Sequence, residues 1–133
     1  MIAMKRYVVS ESEAVKGKLP VPGGGGKFQI FIDEEISGAK HFSLLVNEMA
    51  PGYRGKEHSH AVEHCWYILQ GRGIIRMAGE TYSIKPGDAV FAPIGMPHSV
   101  ECIGDEPLRY VVVYAPPGPE QELRNQVGFA KEA

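Results

Sequence analysis

The sequence predicts an all-β fold of short antiparallel strands packed as a barrel or sandwich, and two observations carry that prediction. Between Phe28 and Tyr114 the apolar runs are short and rich in β-branched and aromatic residues, the composition that suits a pleated, half-buried surface. Gly and Pro turn signals break these runs at close intervals, and little in the region reads as helix. With 133 residues and 44% hydrophobic content, the chain can bury one core. We therefore expect a single domain with an N-terminal extension and Gly-rich loop over residues 1–27, a β-barrel over 28–115 and a tail over 116–133.

The elements follow in order. "PVPGGGG" (20–26) cannot pack and reads as a mobile loop; a phosphate-wrapping role lacks the following helix and Lys-Ser/Thr that it needs. Candidate strands are FQIFID (28–33), HFSLLVNEM (41–49), HCWYILQ (64–70), IIRMA (74–78), TYSI (81–84), AVFAP (89–93), HSVEC (98–102) and LRYVVVY (108–114). "APG" (50–52) and "KPGD" (85–88) place Pro before Gly, as a type II turn requires. "GRG" (71–73) reads as a hairpin loop, and "PPGP" (116–119) closes the β region. Beyond it the tail supports one weak helical turn, with Leu123 and Val127 on one side.

Charge narrows the function classes. Fourteen Lys and Arg against sixteen Asp and Glu give a net charge of −2, so no basic surface invites nucleic acid or an anionic membrane. No apolar run has the length of a membrane span or a signal-peptide core, and the expected location is the cytoplasm. Cys65 and Cys102, the only cysteines, are then expected to be reduced and to behave as small buried hydrophobes.

Three of the five histidines fall in "HSHAVEH" (58–64). His58 and His60 are two apart, so on an extended strand both project from one face, a simple geometry for two ligands on one ion. His64 opens the next apolar run and can face them if residues 61–63 turn; His98 starts another strand. A lone histidine in a β protein is more often a hydrogen-bonded structural residue, but an H-x-H pair with a third close by is not that case. "HAVEH" also matches the HxxEH pattern of inverted zinc peptidases, which requires a helix. Here the glycines upstream and "CWYIL" downstream favour strand.

These residues resemble the cupins. Their first motif, G(X)5HXH(X)3,4E(X)6G, is matched by Gly52, His58, His60 and Gly71, with His64 in the Glu position. The second, G(X)5PXG(X)2H(X)3N, is matched by Gly87, Pro93, Gly95 and His98, with Cys102 in place of Asn. The resemblance implies an antiparallel jelly-roll β-barrel and one divalent transition ion per chain, held by His58, His60, His64 and His98. Imidazoles suit iron, manganese, nickel, copper or zinc better than magnesium or calcium. Glu63, one residue before the motif position, remains an alternative ligand or catalytic carboxylate, through a bulge; Cys102 is read as structural.

An octahedral ion on four neutral ligands keeps its double charge and two open positions, which favours a bidentate anionic or chelating substrate such as an enolate, keto acid or hydroxy acid. The resemblance implies a metal-dependent enzyme, with oxygenative cleavage by a dioxygenase as the favoured reaction. Isomerase, decarboxylase, lyase and cyclase chemistry and non-catalytic ligand binding are the alternatives. If His64 points inward, alternation sends Trp66, Ile68 and Gln70 inward and Cys65, Tyr67 and Leu69 outward. Trp66 and Tyr110 are the candidate substrate contacts. Arg54 and Lys56 are solvated loop cations or partners of a substrate carboxylate. The outward Tyr67 and Leu69, with the N-terminal "RYVVS", would suit a homodimer contact.

Overall fold

The structure, a computed structural model, describes residues 5–20 and 24–132, with side chains described as far as Asn125. Among the described residues nine strands form two antiparallel sheets: β1 (Val15–Lys18), β2 (Gly26–Ile32), β3 (Ser43–Met49), β4 (Glu63–Gln70), β5 (Arg72–Met77), β6 (Glu80–Ile84), β7 (Ala89–Ala92), β8 (His98–Ile103) and β9 (Leu108–Ala115). The larger sheet has the order β1-β2-β3-β9-β4-β7 and the smaller β6-β5-β8. Their apolar faces meet in one core built around Phe28, Ile30, Leu45, Ile68, Leu108 and Val112. This is the jelly-roll arrangement the sequence led us to expect. Among the described residues no helix is long and apolar enough to cross a membrane.

All eight expected strands are present. β1 was not anticipated: "VKGK" is short and half polar, and only its pairing with β2 along the edge makes it a strand. The paired sheet therefore begins at Val15, ahead of Phe28. Both Pro-Gly turns form as expected, with Gly52 and Gly87 at φ of 87° and 92° and the closing bonds Tyr53 N–H to Ala50 C=O and Asp88 N–H to Lys85 C=O. Of the expected loop over residues 20–26, residues 21–23 lie outside the described residues and Gly26 already belongs to β2.

The reading of "GRG" as a hairpin loop is corrected. β4 pairs with β7 and β9 whereas β5 pairs with β6 and β8, so the chain changes sheets at Gly71. That corner has φ of 81°, and a Cβ there would lie 2.1 Å from the Pro107 carbonyl oxygen. Glycine is required twice over, by backbone conformation and by close approach. The bend also disturbs the alternation in β4: the register shifts between Ile68 and Gln70, and Gln70 is exposed rather than inward.

The tail is more structured than one turn. A helix, α2 (Pro119–Glu132), follows β9, and its first turns are docked by two buried carboxylates. Asp33, fully buried, caps the short helix α1 (Glu34–Ser37) through Ile36 N–H and accepts the Arg124 guanidinium at 2.7 Å. Glu120 accepts the Ser43 hydroxyl at 2.6 Å and the Gly118 N–H at 2.9 Å. Leu123 joins the core, as its expected side of the helix implied; the side chain of Val127 lies outside the described residues.

Gly71→Ala is expected to lower unfolding free energy by at least about 2 kcal/mol, measured by urea denaturation, since strain and overlap act together. A value within about 0.5 kcal/mol of wild type would mean that the corner is not locked by this residue.

Candidate metal centre

Backbone pairing begins the site. Residues 53–58 run antiparallel to β8 and extend its edge: Cys102 N–H bonds to Tyr53 C=O, Gly55 N–H to Val100 C=O, and His58 and His98 exchange both bonds at 3.0 and 2.9 Å. Two histidines forty positions apart thus become directly opposed residues on one sheet, with ring centroids 4.5 Å apart. His60, two residues on, accepts Gly95 N–H at its carbonyl and brings its ring 5.0 Å from that of His58. The ligating nitrogens of His58, His60 and His98 all lie within 4.8 Å of one another. Three imidazoles can therefore hold a metal ion.

His64 comes from the other sheet. In β4 it faces Tyr114 and Ala92 in regular register, so its buried ring points inward, 4.9 Å from the rings of both His60 and His98. It adjoins the three-histidine set without sharing the mutual 4.8 Å spacing of that set. Glu63 is not brought to the site: the ladder there has no bulge, Glu63 pairs with Ala115, and its side chain is exposed on the opposite face. Cys102 is buried two residues beyond Val100 with its thiol on the Glu106 carbonyl. Cys65 is exposed, as strand alternation implied, and is not the small buried hydrophobe that the cysteine usage suggested. Arg54 turns away from the cluster to pair with Glu101, whereas Lys56 lines the pocket rim. His41, the fifth histidine, is exposed elsewhere.

The donor set fits a transition ion. Nδ1 of His58 lies 2.9 Å from the Lys56 carbonyl, and Nδ1 of His98 lies 2.9 Å from that of Met96. Carbonyls only accept, so each Nδ1 carries the proton and each Nε2 keeps its lone pair, the arrangement that orients metal-binding histidines. Nε2 of His98 and both ring nitrogens of His64 are buried with no hydrogen-bond partner, an unfavourable state that a coordinated ion would relieve. Burial, helped by the neighbouring histidines, pushes His60 down to about 4 and His64 down to about 3. His98 is also lowered, by burial, against the opposing effect of its Met96 hydrogen bond. His60, His64 and His98 are therefore neutral at pH 7, the form that donates a lone pair.

The cluster opens into a pocket of about 700 Å³. Trp66 forms part of its wall, stacked on Tyr110 at 4.5 Å, and Tyr114 lies 5.4 Å from the rings of His60 and His64. Burial pushes the Tyr110 and Tyr114 phenols well above their ordinary range, so both remain protonated. Leu19, Pro119, Glu122 and Leu123 complete the rim; tertiary docking alone brings them there. Asn47 also lines the pocket, and its signal was present in the sequence: a polar residue two places after Leu45 and four after Ser43, just beyond the apolar stretch Leu44 to Val46. A second hollow of about 460 Å³, between the edges of β6 and β7, contains none of the histidines.

Comparison with known proteins agrees with this architecture. An uncharacterised protein of Methanocaldococcus jannaschii is 38% identical over 118 residues, 88% of this chain and 92% of that one. The oxalate-binding protein of Thermotoga maritima is 29% identical over 110 residues, 80% of this chain and 91% of its own. The solved structure of the polyketide cyclase RemF from Streptomyces resistomycificus superposes with a TM-score of 0.73 at 29% identity, covering 86% of this chain and 81% of that one. The model of the cupin domain matches residues 45–114, a span that contains His58, His60, His64 and His98 together with strands β4 to β8, and the chain belongs to the cupin family.

Proposed function

We propose that this protein is a metal-dependent enzyme that takes a small, enolisable carbonyl compound through two chelating oxygens. His58, His60 and His98 would hold one divalent transition ion, with His64 as fourth ligand. The observation that carries this reading is the pair of Nδ1–carbonyl hydrogen bonds, which leave free Nε2 lone pairs beside a pocket of substrate size. Bound there, the ion would act as a Lewis acid on the substrate carbonyl and favour its enolate.

The chain's own residues supply the rest. Trp66 and Tyr110 present an aromatic wall on which a planar substrate can lie. The protonated Tyr114 phenol, beside His60 and His64, can donate a hydrogen bond to a substrate oxygen. Buried packing around His64 and His98 excludes water from that end. Glu63 has no route to the substrate, so proton transfer does not fall to it. Oxygenative cleavage is the reaction that the sequence resemblance implies. The relatives named for polyketide cyclisation and oxalate binding favour a non-redox transformation instead, and this is the class we advance.

Metal titration of tag-free protein tests the ligand set. His98→Ala should weaken binding about 100-fold or more and His64→Ala about 10-fold or more; wild-type affinity in both variants would remove the metal centre. Turnover of enolisable keto acids and β-diketones should proceed with zinc as with iron and without oxygen uptake. Stoichiometric oxygen consumption confined to the iron form would restore the dioxygenase assignment.

Acid sensitivity follows from the buried histidines. Between pH 6.5 and about 4 the unfolded chain takes up protons that folded His60 and His64 refuse, so the metal-free protein should lose stability as pH falls through that window and show no such slope above it. Urea midpoints measured across pH 4–8 check this, and a flat profile would contradict it.

A cytoplasmic homodimer belongs to the same proposal. On the outer face of the larger sheet, Cys65 lies beside Phe91 and Val113, and Tyr67 beside Ala89 and Val111, with Tyr67 half exposed and Phe91 57% exposed. Light scattering should give about twice 14.6 kDa, and Tyr67→Lys should return the monomer.

A further inference from the structure

The inward face of the larger sheet is organised in rows across β3, β9 and β4. Ser43, Tyr114 and His64 form the row at the metal end; Leu45, Val112 and Trp66 form an apolar row; Asn47, Tyr110 and Ile68 form the third. Four residues separate the first row from the third on each strand, roughly 13 Å at the rise of a β-strand. His64, Trp66, Tyr110 and Asn47 nonetheless line one continuous pocket. Its wall changes from metal-binding to aromatic to polar along its length.

The polar end has an unmet requirement. Asn47 is only 6% exposed, yet its carbonyl oxygen Oδ1 is buried without any hydrogen-bond partner. The amide lies beside the phenol of Tyr110, and Tyr53 stands close enough to that phenol to disfavour its ionisation. Tyr53 is itself buried and faces the pocket. A buried acceptor left unpaired is unfavourable by more than a formed hydrogen bond typically contributes. No cation lines this end; Lys56, the one Lys or Arg among the described lining residues, sits beside His58.

We propose that Asn47, supported by Tyr110 and Tyr53, forms a second, neutral subsite that accepts a hydrogen bond from a hydroxyl at the end of the substrate remote from its chelating oxygens. The inference rests on the metal-chelate reading above and narrows it. A small dicarboxylate such as oxalate would fill only the histidine end and leave Asn47 unpaired. A planar, hydroxylated aromatic carbonyl compound reaches both ends and covers Trp66 between them. Asn47 is a specificity-determining residue: it selects which substrate is held, while the chemistry takes place at the other end of the pocket.

The test compares 3-hydroxyflavone, which chelates through its hydroxyl and ketone, with its congener carrying an additional 4′-hydroxyl at the far end. Binding to zinc-loaded and metal-free full-length protein is read by quenching of Trp66, the only tryptophan. The 4′-hydroxylated flavone should bind the zinc-loaded wild type about tenfold more tightly, the worth of one buried hydrogen bond. Asn47→Leu should erase that preference without weakening 3-hydroxyflavone. Tyr110→Phe, which keeps the ring stacked on Trp66, should reduce the preference about threefold and serves if Asn47→Leu fails to fold. Equal affinity of the two flavones for wild type, or a preference unchanged in the variants, overturns the subsite. Equal binding with and without zinc, with the preference retained, would instead overturn the chelate reading and leave the subsite standing. Failure of both flavones to bind overturns both.

Discussion

The reciprocal backbone hydrogen bonds between His58 and His98 are the constraint on which the rest of the site depends. They fix the two residues as opposed partners, and a hydrogen-bonded antiparallel pair leaves little freedom in where its side chains start. Each ring is then held by the carbonyl two residues before it. Both Nε2 atoms are therefore aimed by main-chain atoms, whose positions the sheet determines. His60 inherits its placement from the same segment, and only His64 depends on how the second sheet packs against the first.

That packing has an electrostatic consequence. Imidazoles crowded together, with His64 and His98 buried and His60 half-buried, cannot all be protonated, because the buried charges would be poorly solvated and would face the others. The protein accepts a loss of acid stability in exchange for a set of neutral donors at pH 7. The buried, unpartnered nitrogens of His64 and His98 and the orphan carbonyl of Asn47 are similar in kind: polar atoms held away from water without compensation inside the chain. Ser37 Oγ is also buried and unpaired, away from the pocket; the other such atoms belong to the histidine cluster and Asn47, where the proposed ligands would satisfy them.

The scaffold around the pocket isolates it by means that differ from strand to strand. Gly71 lets the chain leave one sheet for the other against the backbone of Pro107, so that β4, carrying His64 and Trp66, lies opposite β8, carrying His98. Asp33 and Glu120 tie the start of α2 across strand ends, which places Pro119 and Leu123 at the rim. A buried carboxylate is tolerated when both of its oxygens are bonded: Asp33 holds the Arg124 guanidinium on Oδ2 and Ile36 N–H on Oδ1, and Glu120 accepts Ser43 and Gly118 on Oε1 and Gln121 on Oε2.

Periodicity and turn chemistry made most of the fold legible in the sequence. Short β-branched and aromatic runs marked eight strands, Pro-Gly pairs marked two turns, and His58 and His60, two apart, suggested a shared ion; His64 and His98 joined them only through the resemblance to the cupins. These are local signals, because a strand face and a turn depend on neighbouring residues alone. Partner choice was not local: "GRG" looks like a hairpin until β5 pairs with β8, "VKGK" is a strand only because β2 lies beside it, and Glu63 is excluded only because an unbroken ladder turns it outward. Leu19, Pro119 and Leu123 reach the pocket across gaps that no spacing rule covers. Sequence alone determined which residues could ligate and which residues of a strand share a face; tertiary structure decided which face is buried and which sheet edges met, and hence which of those residues share a cavity, because pairing energy is realised only between segments the whole fold has already brought together.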